Sequence, residues 1–295
     1  MREGQTFSGQ GALLRHANLV RLPHTVFALP FALVGVVLAS YIAPITVGSV
    51  LWVVVAFTSA RFAAMGFNRI VDREIDARNP RTRAREIPSG TMGVREASVA
   101  VVIASIVFFV AAWQLNRLCL FLAPVALSWV LFYSYTKRFT RWAHLVMGLG
   151  LGIAPAGGYL AVTGQWSVPW WLLPVLAAAV MSWAGGFDIF YALQDEQFDR
   201  SAGLHSAIVR FGAPGGILLA KVLHGLALVA LCAFGWGAGM GPVYYAGVAV
   251  GAALIAYEHR LVRPGDLRRL DAAFFAMNGI VSVVVFLGAM GDRVL

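Results

Sequence analysis

Apolar residues run along this chain in long blocks, separated by short stretches that carry most of its charge, glycine and proline. Nine blocks reach membrane-spanning length, at about 19–43, 48–76, 95–113, 117–136, 142–163, 169–196, 212–236, 241–258 and 271–290. Blocks of this kind predict helices, because a helix satisfies all of its own backbone groups where no water is available. Pro30, Pro124 and Pro155 fall inside blocks, where neighbouring helices can absorb a kink. Pro169 and the Gly-Met-Gly-Pro sequence at 239–242 mark ends. The expectation is an all-α integral membrane protein, a bundle of about nine transmembrane helices in a lipid bilayer.

Composition sharpens this reading. Of 295 residues, 59% are hydrophobic and 13% charged, against about 25% charged in a soluble domain. The formal charge of +9 raises the question of nucleic acid, but the basic residues sit between the apolar blocks, where topology and an anionic substrate explain them better. Arg78, Arg81, Arg83, Arg85 and Arg95 follow the second block, and Lys137, Arg138 and Arg141 the fourth. Arg200, Arg210 and Lys221 follow the sixth; Arg260, Arg263, Arg268 and Arg269 follow the eighth. The loops at 43–48, 163–168 and 237–242 have no Lys or Arg, and the loop after the third block has only Arg117. The positive-inside rule then places the N-terminus in the cytoplasm and the C-terminus outside. Met1 to Ala17 lacks an apolar core followed by a cleavage site, so no signal peptide is expected. Cys119 and Cys232 lie in apolar runs and read as small hydrophobes.

Candidate chemistry is concentrated between Arg61 and Gly90. Asn68, Asp72 and Asp76 recur every fourth residue, which puts them on one helical face. Ionisable groups at the end of a membrane helix mark functional sites by default. Two carboxylates and an amide one turn apart can hold Mg²⁺, a hard cation often shared with substrate phosphates. A second stripe, Asp188, Asp195 and Asp199, ends the sixth block on the same side. Gly186-Phe187 before it echoes Gly66-Phe67 before Asn68. Arg85, Lys137 and Arg138 lie on that side too, so acids, metal and basic groups together could cage a diphosphate. Arg81, Arg83 and Arg95 are read as topological charge.

With these residues assembled, the sequence resembles the UbiA superfamily of intramembrane aromatic prenyltransferases over essentially its whole length, 1–295, as one domain. Asn68-x-x-x-Asp72-x-x-x-Asp76 with Asn79-Pro-Arg-Thr-x-x-Arg85 matches the first family motif, and Asp195-x-x-x-Asp199 the second. Tyr191-Ala-Leu-Gln-Asp195 and Gly203-Leu-His-Ser206 resemble the bacterial 4-hydroxybenzoate polyprenyltransferases, including a subgroup linked to menaquinone synthesis. Glu86 departs from the pattern, since many relatives have Pro after the Arg.

The resemblance implies nine helices around a central cavity that opens to lipid and faces the cytoplasm, in a bacterial inner membrane. It also implies Mg²⁺-dependent transfer of a polyprenyl group from its diphosphate to an aromatic ring. In that reading Asn68, Asp72, Asp76, Asp195 and Asp199 hold Mg²⁺, while Arg85, Lys137 and Arg138 contact diphosphate. Arg61 either meets the acceptor's carboxylate or pairs with Asp188. Tyr133 and Tyr159 either shield an allylic cation or pack in the core, and His205 is structural. An Asp or the diphosphate itself could remove the ring proton. A naphthoate-type acceptor is the alternative within the family, and a transporter with an acidic ion site is the alternative outside it. A CDP-alcohol phosphotransferase is set aside because the chain has no Asp-Gly.

Overall fold

The computed structural model describes residues 11–21, 23–262 and 270–295. Arg263, Arg268 and Arg269, counted above as topological charge, lie outside the described residues. Twelve α-helices follow one another, and the described residues contain no strand. They are α1 (Ala12–Leu19), α2 (Pro23–Ala39), α3 (Val47–Val71), α4 (Arg73–Arg78), α5 (Val94–Leu115), α6 (Arg117–Thr136), α7 (Ala143–Thr163), α8 (Leu172–Ala192), α9 (Glu196–Ser201), α10 (Ala207–Gly237), α11 (Pro242–Leu261) and α12 (Leu270–Val294).

Among the described residues, seven helices are long and apolar enough to cross a membrane: those of α3, α5, α6, α7, α10, α12 and the α8–α9 unit. The chain is an integral membrane protein by that measure. Polar side chains fix the starts of α3, α6 and α10. Thr46 and Ser49 form a capping box at the start of α3, and Asn116 caps α6 by accepting from Cys119 N–H at 2.9 Å. The Asn116 amide also donates to the Leu160 carbonyl at 2.8 Å, which ties α6 to the far end of α7.

Close packing centres on α7. A Cβ added to Gly148 or Gly152 would run into the carbonyls of Met181 and Ala177 on α8. One added to Gly35 or Gly158 would strike the backbone between α2 and α7. Small residues let these backbones approach, which is how helices associate where solvent and core are equally apolar. Phe31, Leu173, Leu176, Trp183 and Phe234 fill the core around them. Tyr159 belongs to this core, 3% exposed, and does not line the cavity described next, so packing accounts for it.

Helices α2, α3, α5, α6, α7 and α8 contribute to the walls of a cavity of about 700 Å³. Its walls run from Leu115, Trp166 and Leu173 at one end to Asp72, Asp76, Asp195 and Asp199 at the other. Along α8 and the 3₁₀ turn that follows it, the rise from Leu173 to Asp195 is about 30 Å. One end is apolar; the other is charged.

Candidate active site

Both acidic stripes break their helices at the charged end. Helix α3 stops at Val71, and Asp72 turns to φ −92°, ψ 5° before α4 begins. Asp72 N–H still donates to Asn68 O at 2.9 Å and Asp76 N–H to Asp72 O at 2.8 Å, so the one-turn spacing survives the break. Helix α8 stops at Ala192, a 3₁₀ turn covers Leu193–Asp195, and α9 carries Asp199. The expected single face across Asp188, Asp195 and Asp199 is thus built from three short pieces. All six residues line the cavity.

Each stripe is held by arginine. Asn68 Nδ2 donates to Asp72 Oδ2 at 2.9 Å, and Arg138 Nη2 donates to Asp72 Oδ1 at 2.9 Å. Arg85 Nη1 reaches both oxygens of Asp76 at 2.7 and 2.8 Å. Arg81 grips Asp195 through two nitrogens, Nε donating to Oδ1 at 2.8 Å and Nη2 donating to Oδ2. Asn79 Nδ2 adds a bond to Asp195 Oδ1 at 3.0 Å. The 79–85 loop thereby joins the first stripe's helix to the second.

Sequence reasoning assigned Arg81 to topology, and the structure puts it inside the site. Its guanidinium also stacks 4.9 Å above the Tyr191 ring and donates to the Tyr191 hydroxyl at 2.8 Å, where Arg21 Nη1 donates at 3.1 Å. Asn79, Tyr191 and Arg21 were missed as well. The Asn79-Pro-Arg-Thr motif was the available signal.

Other expectations divide. Arg61 lines the cavity but makes no ion pair with Asp188 among the described residues; it donates to Val20 O at 3.3 Å. Asp188 instead accepts from His144 Nδ1 at 2.6 Å. Tyr133 lines the cavity four residues before Lys137. His205 donates its backbone N–H to Lys137 O at 2.7 Å, a structural role.

Burial lifts the Asp72 carboxyl above the usual carboxylate range, against the pull of Arg138 beside it. Burial alone would depress the Lys137 ammonium, yet the carboxylates of Asp199, Asp188 and Asp195 and the nearby Tyr133 hold it above the ordinary lysine value. Lys137 lines the same cavity as Arg81, Arg85 and Arg138.

Among the described residues no three His, Cys, Asp or Glu side chains converge into a preformed metal cage. The donors nevertheless suit Mg²⁺. They are hard oxygens from two walls, and Asp199 Oδ2 is buried with no hydrogen-bond partner although the residue is 3% exposed. A cation that completes its shell with substrate phosphates needs one or two such oxygens from each side.

A model of the UbiA prenyltransferase family matches residues 28–280. The chain belongs to the UbiA family. It is a membrane prenyltransferase by that membership. The 4-hydroxybenzoate octaprenyltransferase of Aromatoleum aromaticum (strain DSM 19018 / LMG 30748 / EbN1) is 31% identical over 234 residues, 79% of this chain and 78% of the relative. That of Xanthomonas campestris pv. campestris (strain B100) is 31% identical over 249 residues, 83% and 81% of the two chains. A UbiA homologue from Aeropyrum pernix K1 superposes with a TM-score of 0.83 at 31% identity, covering 91% of this chain and 98% of the other. The UbiA fold extends to a homologue from Archaeoglobus fulgidus solved with GPP and Mg²⁺, at a TM-score of 0.72 and 17% identity over 95% of this chain and 100% of that one.

Proposed function

We propose that this UbiA-family enzyme transfers a polyprenyl group from polyprenyl diphosphate to a ring carbon of an aromatic acid of the 4-hydroxybenzoate type, in quinone biosynthesis. One observation carries the reading: two arginine-braced acidic stripes face each other at the charged end of a long apolar cavity. That combination accepts an amphiphile with a diphosphate head. The names of the curated relatives and the GPP and Mg²⁺ bound to the Archaeoglobus homologue support the assignment.

In this proposal the whole chain, 1–295, is one domain of nine spans, with α2 and α11 added to the seven helices above. Its N-terminus is cytoplasmic, its C-terminus outside, and the acids open toward the cytoplasm of a bacterial inner membrane. The loop charges support that orientation.

Asn68, Asp72, Asp76, Asp195 and Asp199 would hold Mg²⁺, which supplies positive charge to the diphosphate oxygens. Arg85, Lys137 and Arg138 take the outer oxygens, with Arg81 beside them. Donors fixed in place around the leaving group favour the charge that develops as the C–O bond ionises. Tyr133 presents a ring face to the allylic cation, one turn deeper than Lys137. Arg61 gives the acceptor's carboxylate a guanidinium on the cavity wall.

The test is prenyl transfer by purified protein in detergent with Mg²⁺, geranyl diphosphate and a panel of aromatic acids. Product with 4-hydroxybenzoate is expected. Product with hydroxynaphthoates alone would replace the acceptor. Failure to bind a prenyl diphosphate analogue in Mg²⁺ would overturn the donor site and restore the transporter.

A further inference from the structure

Five aspartates line the cavity, and four of them, Asp72, Asp76, Asp195 and Asp199, stand at its charged end. Asp188 is the fifth. It lies seven residues before Asp195 on α8, about 10 Å deeper along the axis. Three of the other four are gripped by Arg138, Arg85 and Arg81, whereas the ion pairs among the described residues give Asp188 no arginine. Its partner is His144, in the first turn of α7 and 1% exposed.

The hydrogen bonds around His144 fix its tautomer. Ala207 N–H, at the N-terminus of α10, points at His144 Nε2 at 3.4 Å, and a backbone N–H can only donate. Nε2 is therefore the acceptor, Nδ1 carries the hydrogen, and Nδ1–H donates to Asp188 Oδ2 at 2.6 Å. The contact runs from a capped helix terminus, where Ser206 Oγ accepts from Val209 N–H, through a buried imidazole to a carboxylate on the cavity wall. A chain of this kind orients a carboxylate without neutralising it. Nothing in the packing of α7 against α8 needs it, because glycines already bring those helices together.

We propose that Asp188, oriented by His144, is the base that removes the ring proton; this deepens the prenyl-transfer reading above and rests on it. In the prenyl-transfer reading the diphosphate occupies the charged end and C1 lies on its apolar side, which puts the acceptor ring deeper than the four charged-end aspartates. Asp188 and Tyr133 flank that depth from α8 and α6. In the step, diphosphate has left with the C–O pair, and the ring carbon beside the phenolic hydroxyl gives its electron pair to C1 of the allylic cation. The C–H pair then returns to the ring, and the proton passes to the carboxylate oxygen of Asp188 that His144 does not occupy. His144 is a positioning residue; Asp188 is catalytic.

The experiment compares the wild-type protein with D188N and H144Q in detergent, using Mg²⁺, geranyl diphosphate and 4-hydroxybenzoate with or without deuterium at the ring positions beside the hydroxyl. Asn keeps the acceptor oxygen for His144, so D188N folds and retains Mg²⁺-dependent binding of geranyl thiodiphosphate. Its aromatic product falls by about 10²- to 10⁴-fold. Its residual turnover acquires a primary deuterium isotope effect, which a purely structural residue would not produce. H144Q lowers kcat more than either KM and shows the same isotope effect to a smaller extent. Near-wild-type transfer by D188N, residual turnover without an isotope effect, or loss of donor binding together with transfer would each overturn the assignment. Absence of transfer by the wild-type protein would instead remove the function on which it rests.

Discussion

Arg81 and Asp195, 114 positions apart, meet through two nitrogens and two oxygens, and the 79–85 loop is pinned to the end of α8 by that contact. A bidentate guanidinium–carboxylate pair fixes angle as well as distance, so it sets how the two acidic stripes face each other. Removing one partner of a buried pair strands the other, at about 3–5 kcal/mol.

By loosening how the two stripes face each other, Arg81→Ala should lower kcat/KM for prenyl transfer by roughly a hundredfold, the cost of misplacing reacting groups by about 1 Å. Arg81→Lys should recover little, because an ammonium cannot match the planar fork. Initial rates over a range of geranyl diphosphate concentrations decide it. An Arg81→Ala rate within threefold of wild type would return Arg81 to the topological role the sequence suggested.

Asp72→Ala and Asp195→Ala should each abolish turnover while leaving the elution volume and helical signal of the purified protein unchanged. Chelation by EDTA should stop the wild-type enzyme, and added Mg²⁺ should restore it. Activity that survives both substitutions would dismantle the site assignment.

The helix contacts of α7 give a stability prediction. Gly152→Leu pushes a side chain into the Ala177 carbonyl and should cost about 1–3 kcal/mol, seen as a lower Tm in detergent. Gly225→Ala is the control. Nothing lies within 4 Å of its added Cβ, and alanine favours the helix by about 1 kcal/mol. Equal Tm changes in both would mean that α7 and α8 are not this close.

The two tyrosines should separate. Tyr159→Phe keeps the core filled and should leave transfer within about twofold of wild type. Tyr133→Ala removes a ring from the cavity wall and should lower kcat roughly thirtyfold, the worth of about 2 kcal/mol of cation–π attraction. Equal losses from both would place Tyr159 in the reaction after all.

Much of this was legible in one sequence because a membrane imposes strong rules on local composition. The blocks behind α3, α5, α6, α7, α8, α10 and α12 follow from hydropathy alone, and the four-residue spacing of Asn68, Asp72 and Asp76 placed them together correctly. The breaks at Asp72 and at Leu193–Asp195 were not legible, since the residues there continue a helical pattern and tertiary contacts end it. Pairings between distant elements were also hidden. Arg81 looks like Arg83 in composition, and only the fold distinguishes the one that meets Asp195. The same holds for Arg61, for which Asp188 was one of two candidate partners and which the fold leaves apart from it, since Asp188 belongs to His144.

Helices α3, α6 and α8 all finish at the charged end of the cavity, at Val71, Thr136 and Ala192. Arg138 ties two of these ends together, donating to Ser134 O at 2.7 Å and to Val71 O at 3.1 Å. Its guanidinium is therefore shared between the main chain of two helices and the Asp72 carboxylate, so the charge at the mouth of the cavity and the spacing of its walls are set by one side chain and change together.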